Sequence, residues 1–241
     1  MPPGVGSRGG SAGFLMRAAR AVILDFNGTV AEDEAILSGI YEDLLREHGL
    51  AFDAEEYSRH AGLPDRVMFG RLFETQGRTL AAATSDRLLR DRVERYRSAV
   101  GDGHPVSADT VAFVRAVAAQ VPVAIASGAF RDEIEPVLEH AGLAEFVSVI
   151  VSIDEVRAGK PDPESFTTAL ALINRGRAEA IAPAHTVVVE DATDGIRAAR
   201  AAGMRCVAIR GRAYDEDSGL AELVVDRLTA ELAGALLSSG S

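Results

Sequence analysis

Short apolar runs of strand length recur along this chain and alternate with amphipathic stretches. The runs occupy residues 21–26, 121–127, 146–152, 186–190 and 205–210. The amphipathic stretches, which have helical periodicity, occupy residues 107–120, 130–141, 163–174 and 193–202. Apolar runs of this length are typical of strands buried on both faces, and strand–helix alternation at this spacing indicates βαβ units. The sequence therefore predicts an α/β fold with a Rossmann-like doubly wound parallel sheet as its core.

One long segment breaks this alternation. It carries only helical patterns, around residues 34–48, 54–61, 64–76 and 84–99. An all-helical block after the first strand predicts an inserted helical cap domain at residues 32–103, with hinges near 31–33 and 101–105. The core would then comprise residues 20–31 and 104–236. The Gly/Ser/Pro-rich start, residues 1–19, is expected to form a flexible leader.

Composition excludes several functional classes. The chain has 241 residues, of which 47% are hydrophobic, and a net charge of −11. A disordered chain would be less apolar, and an acidic protein is a poor partner for nucleic acid or for an anionic membrane. No apolar stretch approaches the ~18 residues of a membrane span. Cys206 is the only cysteine, so an intrachain disulfide is impossible. We expect a cytoplasmic protein, with a monomer as the favoured state.

Polar residues follow four of the predicted strands. In open parallel sheets, ligands bind at the carboxyl ends of the strands. The residues at those ends are Asp25, Asn27, Gly28 and Thr29 after the first strand, Ser127 and Gly128 after the second, Lys160 after the third, and Glu190 and Asp191 after the fourth. An aspartate, a hydroxyl, a lysine and an acidic pair are the groups needed for phosphoryl transfer through an aspartyl phosphate.

Each group has a physical task in that chemistry. Asp25 would be the nucleophile, because a carboxylate attacking phosphorus divides one difficult displacement into two. Lys160 is the only lysine among 25 basic residues, and it would neutralise the phosphoryl oxygens and the nucleophile. Ser127, with Gly128 beside it, and the N–H groups of the turn at Gly28-Thr29 would bind phosphoryl oxygens.

The acidic pair predicts a metal site. Mg²⁺ prefers a few carboxylates together with water. Glu190 and Asp191 would therefore hold Mg²⁺ together with Asp25.

These motifs resemble those of the haloacid dehalogenase superfamily, in its branch of phosphatases and β-phosphoglucomutases with a helical cap. The segments that carry the resemblance most specifically are GKPDPESF at 159–166 and VVVEDATDGIRAARAAGM at 187–204. The resemblance covers roughly residues 20–230. It implies Mg²⁺ dependence, a mobile lid and small phosphorylated substrates.

Asn27 departs from the family pattern. The phosphatases of the family carry an aspartate there, which protonates the leaving oxygen and later activates water, while its main-chain carbonyl ligates Mg²⁺. Asn27 keeps the carbonyl, and with it a place among the metal ligands, but it cannot transfer a proton. General acid–base help is typically worth ~10²–10⁴-fold. We therefore expect slow turnover and a long-lived phosphorylated Asp25, and we expect Asn27→Asp to raise activity.

The predicted cap carries further signals. Residues 62–66 resemble the substrate-specificity loop of the family, and Arg66 is a candidate for binding a distal phosphate or carboxylate, with a solvated surface role as the alternative. Residues 84–97 alternate in charge, which is typical of a solvated helix face. Residues 35–38 lack the histidine that the mutases of the family use early in the cap.

The sequence thus predicts a phosphoric monoester hydrolase. Its expected activity is Mg²⁺-dependent hydrolysis of small phosphorylated metabolites, slowed by Asn27. Two alternatives stay open. One is a sugar phosphomutase, and the other is a catalytically weak protein that binds a phosphometabolite as a regulator.

Overall fold

The computed structural model describes residues 17–60, 63–101, 103–210 and 219–238. Of the predicted leader, residues 1–16 lie outside this part of the chain, and so does Gly62 in the predicted specificity loop. Ala19, which the sequence placed in the leader, is buried, and its N–H donates to the Leu236 carbonyl at 2.8 Å. Contacts of the core therefore begin before residue 20.

Six parallel strands form one sheet. They are β1 (Ala21–Leu24), β2 (Val123–Ala126), β3 (Val149–Val151), β4 (Thr186–Glu190), β5 (Arg205–Ile209) and β6 (Leu223–Val225). Their order is β3-β2-β1-β4-β5-β6. The first five correspond to the predicted apolar runs. The sequence did not predict β6, because it is only three residues long and half-buried.

The described ranges also contain α-helices. They are α1 (Glu34–Glu47), α2 (Ala54–His60), α3 (Asp65–Thr75), α4 (Ala82–Ala99), α5 (Ala108–Ala118), α6 (Arg131–His140), α7 (Glu164–Asn174), α8 (Thr193–Ala201) and α9 (Ala230–Leu237). Eight match the predicted helical patterns, and α9 is an addition. None of these helices combines the length and apolarity needed to cross a bilayer.

Both faces of the sheet are covered. Along β1, Val22 and Leu24 belong to one apolar cluster, whereas Ala21 and Ile23 belong to the other. Side chains of α5, α6 and α9 complete the first cluster, and side chains of α7 and α8 complete the second. Because successive strand residues point to opposite faces, a strand covered on both sides must be apolar throughout. The predicted doubly wound α/β fold is confirmed.

The strand order places a crevice beside β1. The chain goes from β1 to β2 on one side and returns to β4 on the other. The carboxyl ends of these strands meet at the same edge, which is where open α/β sheets bind their ligands.

The segment between β1 and α5 is a helical insert, residues 32–103, built from α1 to α4. As the sequence predicted, its described residues contain no strand. Its two connections to the core run side by side, because the Glu32 N–H donates to the Pro105 carbonyl at 2.6 Å. The cap domain and the hinges expected near these two connections stay predictions. Phe69 and Leu88 are fully buried in the interior of the insert.

Candidate active site

Asp25 lies at the first residue beyond β1, where the chain leaves the sheet. Its N–H donates to the Val189 carbonyl of β4 at 3.0 Å, which fixes its backbone against the central strand. The chain then turns, and the N–H groups of Val30 and Ala31 donate to the Phe26 carbonyl at 2.8 and 2.9 Å. This turn directs the Asp25 carboxylate into a cavity at the carboxyl edge of the sheet.

Gly28 is required in this turn. Its φ is +75°, and a Cβ built there would lie 2.2 Å from Asp191 Oδ2. Both the left-handed backbone and the close approach to a carboxylate exclude a side chain.

Lys160 joins the ends of two strands. Its Nζ donates to Asp25 Oδ1 and, at 2.5 Å, to Glu190 Oε1. The ammonium also lies 5.0 Å from the centre of the Phe166 ring. Burial alone would lower the pKa of Lys160, but the two carboxylates outweigh it, so its pKa is raised. The lysine is therefore held as a cation between the predicted nucleophile and the acidic pair.

The two members of the acidic pair are held differently. Glu190 uses both oxygens within the protein, because Oε1 faces Lys160 and Oε2 accepts a hydrogen bond from the Ala192 N–H at 2.7 Å. Among the described residues, the Asp191 carboxylate accepts a single hydrogen bond, a long one of 3.4 Å from Thr29 Oγ1. Asp191 is thus the member whose oxygens are available to a cation.

Burial sets the protonation of these carboxyl groups. Loss of hydration raises the pKa of Asp25 to about 7, despite the attraction of Lys160, and the charge of Glu190 adds to the rise. Burial and the charges of Glu190 and Asp25 raise the pKa of Asp191 well above its usual range. Such crowding of carboxylates beside a single ammonium is an environment that an added cation would relieve.

Mg²⁺ requires hard oxygen donors, such as carboxylates, close to one another. Within the described ranges, no three carboxylate, imidazole or thiolate groups converge as a ready-made metal site. The orientation of Glu190 toward Lys160 accounts for this. Asp25 and Asp191 remain as two hard oxygen donors, and Mg²⁺ is commonly held by one or two carboxylates plus substrate phosphate. The residues present fit Mg²⁺, and Asp191 is the member of the acidic pair whose oxygens are available beside Asp25. Glu190 as a metal ligand stays a prediction.

Asn27 lies in a buried hydrogen-bond network. Its Nδ2 donates to Asp33 Oδ2 at 2.6 Å, and the Tyr96 hydroxyl donates to the same oxygen at 2.6 Å. Asp33 is fully buried, and burial raises its pKa. Because a carboxylate can only accept from the amide, Nδ2 must face Asp33 and Oδ1 of Asn27 points elsewhere. Sequence reasoning did not identify Asp33 as a site residue, because it lies in an acidic stretch typical of a surface.

The expected phosphate-binding residues are partly brought together. Ser127 and Gly128 line the cavity, and Ser127 Oγ accepts from the Ala129 N–H at 3.1 Å, which leaves the hydroxyl proton available for a ligand. Gly28 also lines the cavity. Thr29 does not, and its hydroxyl donates to Asp191 instead.

Arg66 is not brought to the site. Its guanidinium pairs with Asp86 at 2.7 Å, its side chain is 61% exposed, and it lines a separate cleft between α4 and α6. The preceding residue, Asp65, faces the cavity instead, because one step along a helix turns the side chain by about 100°.

Arg92 occupies the insert side of the cavity. It lies in the stretch 84–97, which the sequence predicted to be a solvated face, but it is only 4% exposed. Its guanidinium contacts Glu133 of α6 and lies 3.3 Å from Asp65 Oδ2, and its Nε donates to the Tyr41 hydroxyl at 3.3 Å. The alternating charges of this stretch do not distinguish the buried Arg92 from its exposed neighbours, so the predicted solvated face is wrong at this residue.

The cavity encloses about 130 Å³ between the strand ends and the insert. Ser165, at the start of α7, contributes a buried hydroxyl that has no hydrogen-bond partner within the described ranges. Buried polar groups are nearly always paired, so such a hydroxyl is available to a bound group.

Comparison with known proteins places this geometry in a family. The family model of haloacid dehalogenase-like hydrolases matches residues 19–203. Fructose-1-phosphate phosphatase YqaB of Escherichia coli (strain K12) is 28% identical over 190 residues, 78% of this chain and 95% of that protein. Validoxylamine A 7'-phosphate phosphatase of Streptomyces hygroscopicus subsp. limoneus is 26% identical over 212 residues, 87% of this chain and 94% of that protein.

Solved structures share the fold. CbbY from Rhodobacter sphaeroides, in complex with phosphate, has a TM-score of 0.78 at 24% identity, covering 90% of this chain and 99% of that one. β-Phosphoglucomutase from Clostridium difficile has a TM-score of 0.76 at 20% identity, covering 89% and 93%. The resemblance inferred from the strand-end motifs is confirmed, and so is the expectation of a hydrolase. The chain belongs to the haloacid dehalogenase-like hydrolases.

Proposed function

We propose that this protein is a Mg²⁺-dependent phosphatase of small phosphorylated metabolites that acts through an aspartyl phosphate on Asp25. The observation that carries the proposal is Lys160, which contacts both Asp25 and Glu190 at the carboxyl edge of the sheet. An ammonium held against a buried carboxylate nucleophile reduces the repulsion between that carboxylate and an incoming anionic phosphoryl group.

The relatives support this substrate class. By their names, two act on fructose 1-phosphate and validoxylamine A 7'-phosphate, and a Thermotoga maritima relative is a phosphorylated carbohydrates phosphatase. All three names describe phosphate esters of hydroxylated carbon skeletons. We infer a substrate of the same kind for this chain.

In the proposed first step, a carboxylate oxygen of Asp25 attacks phosphorus. The bond from phosphorus to the ester oxygen of the substrate breaks, and the electron pair leaves with that oxygen. Lys160 and the Ser127 hydroxyl offset the negative charge on the phosphoryl oxygens. In the second step, water attacks phosphorus, the bond from phosphorus to Asp25 breaks, and its electron pair returns to the carboxylate. Because Asn27 transfers no proton, the departed oxygen takes its proton from solvent and the attacking water releases one to solvent.

Mg²⁺ would be held by Asp25, Asp191 and the main-chain carbonyl of Asn27. Bound there, it would neutralise the negative charge that the phosphoryl group brings to the carboxylates. Glu190 would keep Lys160 in place from the other side.

Asn27 limits the rate in this proposal. Its Nδ2 is engaged with Asp33, so its side chain offers only the Oδ1 acceptor to the leaving group or to water. It can orient a hydroxyl but cannot exchange a proton. We therefore expect turnover slower by ~10²–10⁴-fold than with a carboxyl at this position.

The helical insert would act as a cap. It supplies Asp33, Asp65 and Arg92 to the cavity wall, across from the strand ends. A volume of about 130 Å³ is below that of typical ligand pockets, roughly 300–1,000 Å³. The cap would therefore open to admit the substrate and close to exclude water during transfer.

A panel of phosphorylated metabolites assayed with Mg²⁺ tests the proposal. We expect phosphate release by the protein and none by Asp25→Asn, with Asp43→Asn, an exposed aspartate of α1, as the matched control. Isomerised sugar phosphate in place of free phosphate would favour a mutase. Stabilisation by a ligand without phosphate release would favour a regulator.

A further inference from the structure

The insert side of the cavity offers no free positive charge. Arg92 is the only arginine or lysine that the described part of the insert contributes to the cavity wall. It is already paired with two carboxylates, Glu133 and Asp65. His60 also lines the wall, and its Nδ1 lies 2.9 Å from the Glu56 carbonyl. A second anionic group on a substrate would find no unpaired cation there.

Glu34 supplies an unpaired negative charge to the same wall. It lies in the first turn of α1, lines the cavity and is half-buried. Among the residues that the structure describes, its carboxylate has no hydrogen-bond or ion-pair partner. Burial raises the pKa of Tyr57, another residue of this wall, and the charge of Glu34 adds to the rise, so the two side chains are close enough to interact.

Two aromatic rings belong to the lining of the same cavity. Tyr41 and Tyr57 both line the cavity and stack with their ring centres 5.7 Å apart. Aromatic faces accept the apolar faces of ring compounds and attract cations. The wall therefore combines an apolar ring surface with excess negative charge.

The cavity also has a group that awaits a ligand. Ser165 is 3% exposed and lines the cavity, and its hydroxyl has no hydrogen-bond partner in the part of the chain that the structure describes. This is independent of the acidic wall, and it indicates that the cavity is built to hold a polar molecule.

We propose that the preferred substrate is a monophosphate of a hydroxylated ring that carries an ammonium group, and that esters with a second phosphate or a carboxylate are rejected. The phosphoryl group would lie against Lys160 and Ser127, and the ammonium group would face Glu34. This inference rests on the proposed phosphatase function, because it assigns the leaving group of that reaction.

Matched substrates test this selectivity. Glucosamine 6-phosphate, glucose 6-phosphate and glucose 1,6-bisphosphate differ in carrying an ammonium group, a hydroxyl group and a second phosphate. We expect kcat/KM to fall in that order, by at least about tenfold between the first and the last, because like charges placed together in a site are strongly disfavoured. Hydrolysis of p-nitrophenyl phosphate reports the phosphatase activity independently of these groups.

A variant pair locates the effect. Glu34→Gln should bring the amine-to-hydroxyl ratio of kcat/KM close to one. Glu42→Gln, on the same helix but paired with Arg46 at the surface, should leave it unchanged. If p-nitrophenyl phosphate is hydrolysed but the bisphosphate is used as well as the amine, or if Glu34→Gln changes no ratio, the inference is wrong and the phosphatase function stands. If no ester is hydrolysed, both are wrong.

Discussion

At the scale of single residues, the unusual feature is an amide where a carboxyl group is expected and a buried carboxyl group beside it. Asn27 Nδ2 lies 2.6 Å from Asp33 Oδ2, and the Tyr96 hydroxyl, which belongs to the insert, donates to the same oxygen. The consequences of changing Asn27 therefore depend on Asp33.

Asn27→Asp alone would place two carboxyl groups where one hydrogen bond now lies. They would have to share a proton, so the new group would be held by Asp33 rather than free to serve the leaving oxygen. Exchanging the pair, as Asn27→Asp with Asp33→Asn, keeps the hydrogen bond. We expect the rate of phosphate release to rise about 10²-fold or more in the exchanged pair. In the single variant the rate should also rise, but by clearly less. Equal rates in both would show that Asp33 does not restrain position 27.

Lys160→Arg tests whether a compact charge is needed. The ammonium lies between Asp25 and Glu190 and above the Phe166 ring, and the wider guanidinium fork cannot occupy the same place. We expect single-turnover phosphorylation of Asp25 to slow by ~10²–10³-fold while the fold is retained, as judged by circular dichroism. A near-normal rate would remove Lys160 from the proposed mechanism.

At the scale of elements, a buried ion cluster connects the insert to the core. Arg92 of α4 contacts Glu133 of α6, and Asp65 of α3 completes the cluster. Within the described ranges, Arg92 is the only cation that either carboxylate contacts, although the Phe130 N–H also donates to Glu133 and the Tyr41 hydroxyl to Asp65. The interface between insert and core is therefore sensitive to any change that leaves a charge unpaired.

Arg92→Met should destabilise the protein by about 3–5 kcal/mol, because the buried Glu133 would lose its ion partner and so would the half-buried Asp65. The free energy of unfolding in urea measures this. Adding Glu133→Gln to Arg92→Met should recover part of the loss. Arg95→Met, on the same helix with a partly exposed ion pair to Glu47, should cost at most about 1 kcal/mol. Equal losses for the two arginines would contradict the buried cluster.

Glu133 should make stability depend on pH. Burial raises the pKa of its carboxyl group to about 7, which outweighs the attraction of Arg92. The folded protein then binds more protons than the unfolded chain between the ordinary pKa of a glutamate and about 7. The free energy of unfolding contributed by this group therefore falls as the pH rises through that window.

Glu133→Gln should remove this contribution. Urea unfolding at about pH 5 and about pH 8 should show a smaller loss of stability with rising pH in the variant than in the parent. Glu135→Gln, an exposed neighbour on α6 paired with Arg131, is the matched control and should keep the parental dependence. An unchanged dependence in Glu133→Gln would contradict the raised pKa.

At the scale of the whole molecule, the sequence predicts the core well because the sheet is buried on both faces. Because of that burial the strands are apolar throughout, so β1 to β5 can be recognised in the sequence as short apolar runs. Parallel strands also end at a common edge, which is why Asp25, Lys160 and Asp191 could be grouped from their positions after strands. The expected monomer and cytoplasmic location stay predictions.

Other parts depend on contacts that no local pattern records. Arg92 looks like a surface residue until α6 supplies Glu133 from 41 positions away. Arg66 looked suitable for the site, but the turn of α3 directs it to Asp86. The acidic pair looked equivalent in sequence, and only the contacts of Lys160 and the Ala192 N–H distinguish Glu190 from Asp191.

The most direct test of the account is whether Asp25 carries the phosphoryl group during turnover. The protein would be mixed with Mg²⁺ and a hydrolysed phosphate ester, quenched in acid, digested and examined by peptide mass spectrometry. We expect a phosphoryl group on Asp25, and we expect this phosphorylated form to accumulate because Asn27 slows its hydrolysis. Asp25→Asn should show no such adduct. Phosphate release with no phosphorylated peptide at any time, or with the phosphoryl group on another residue, would contradict it.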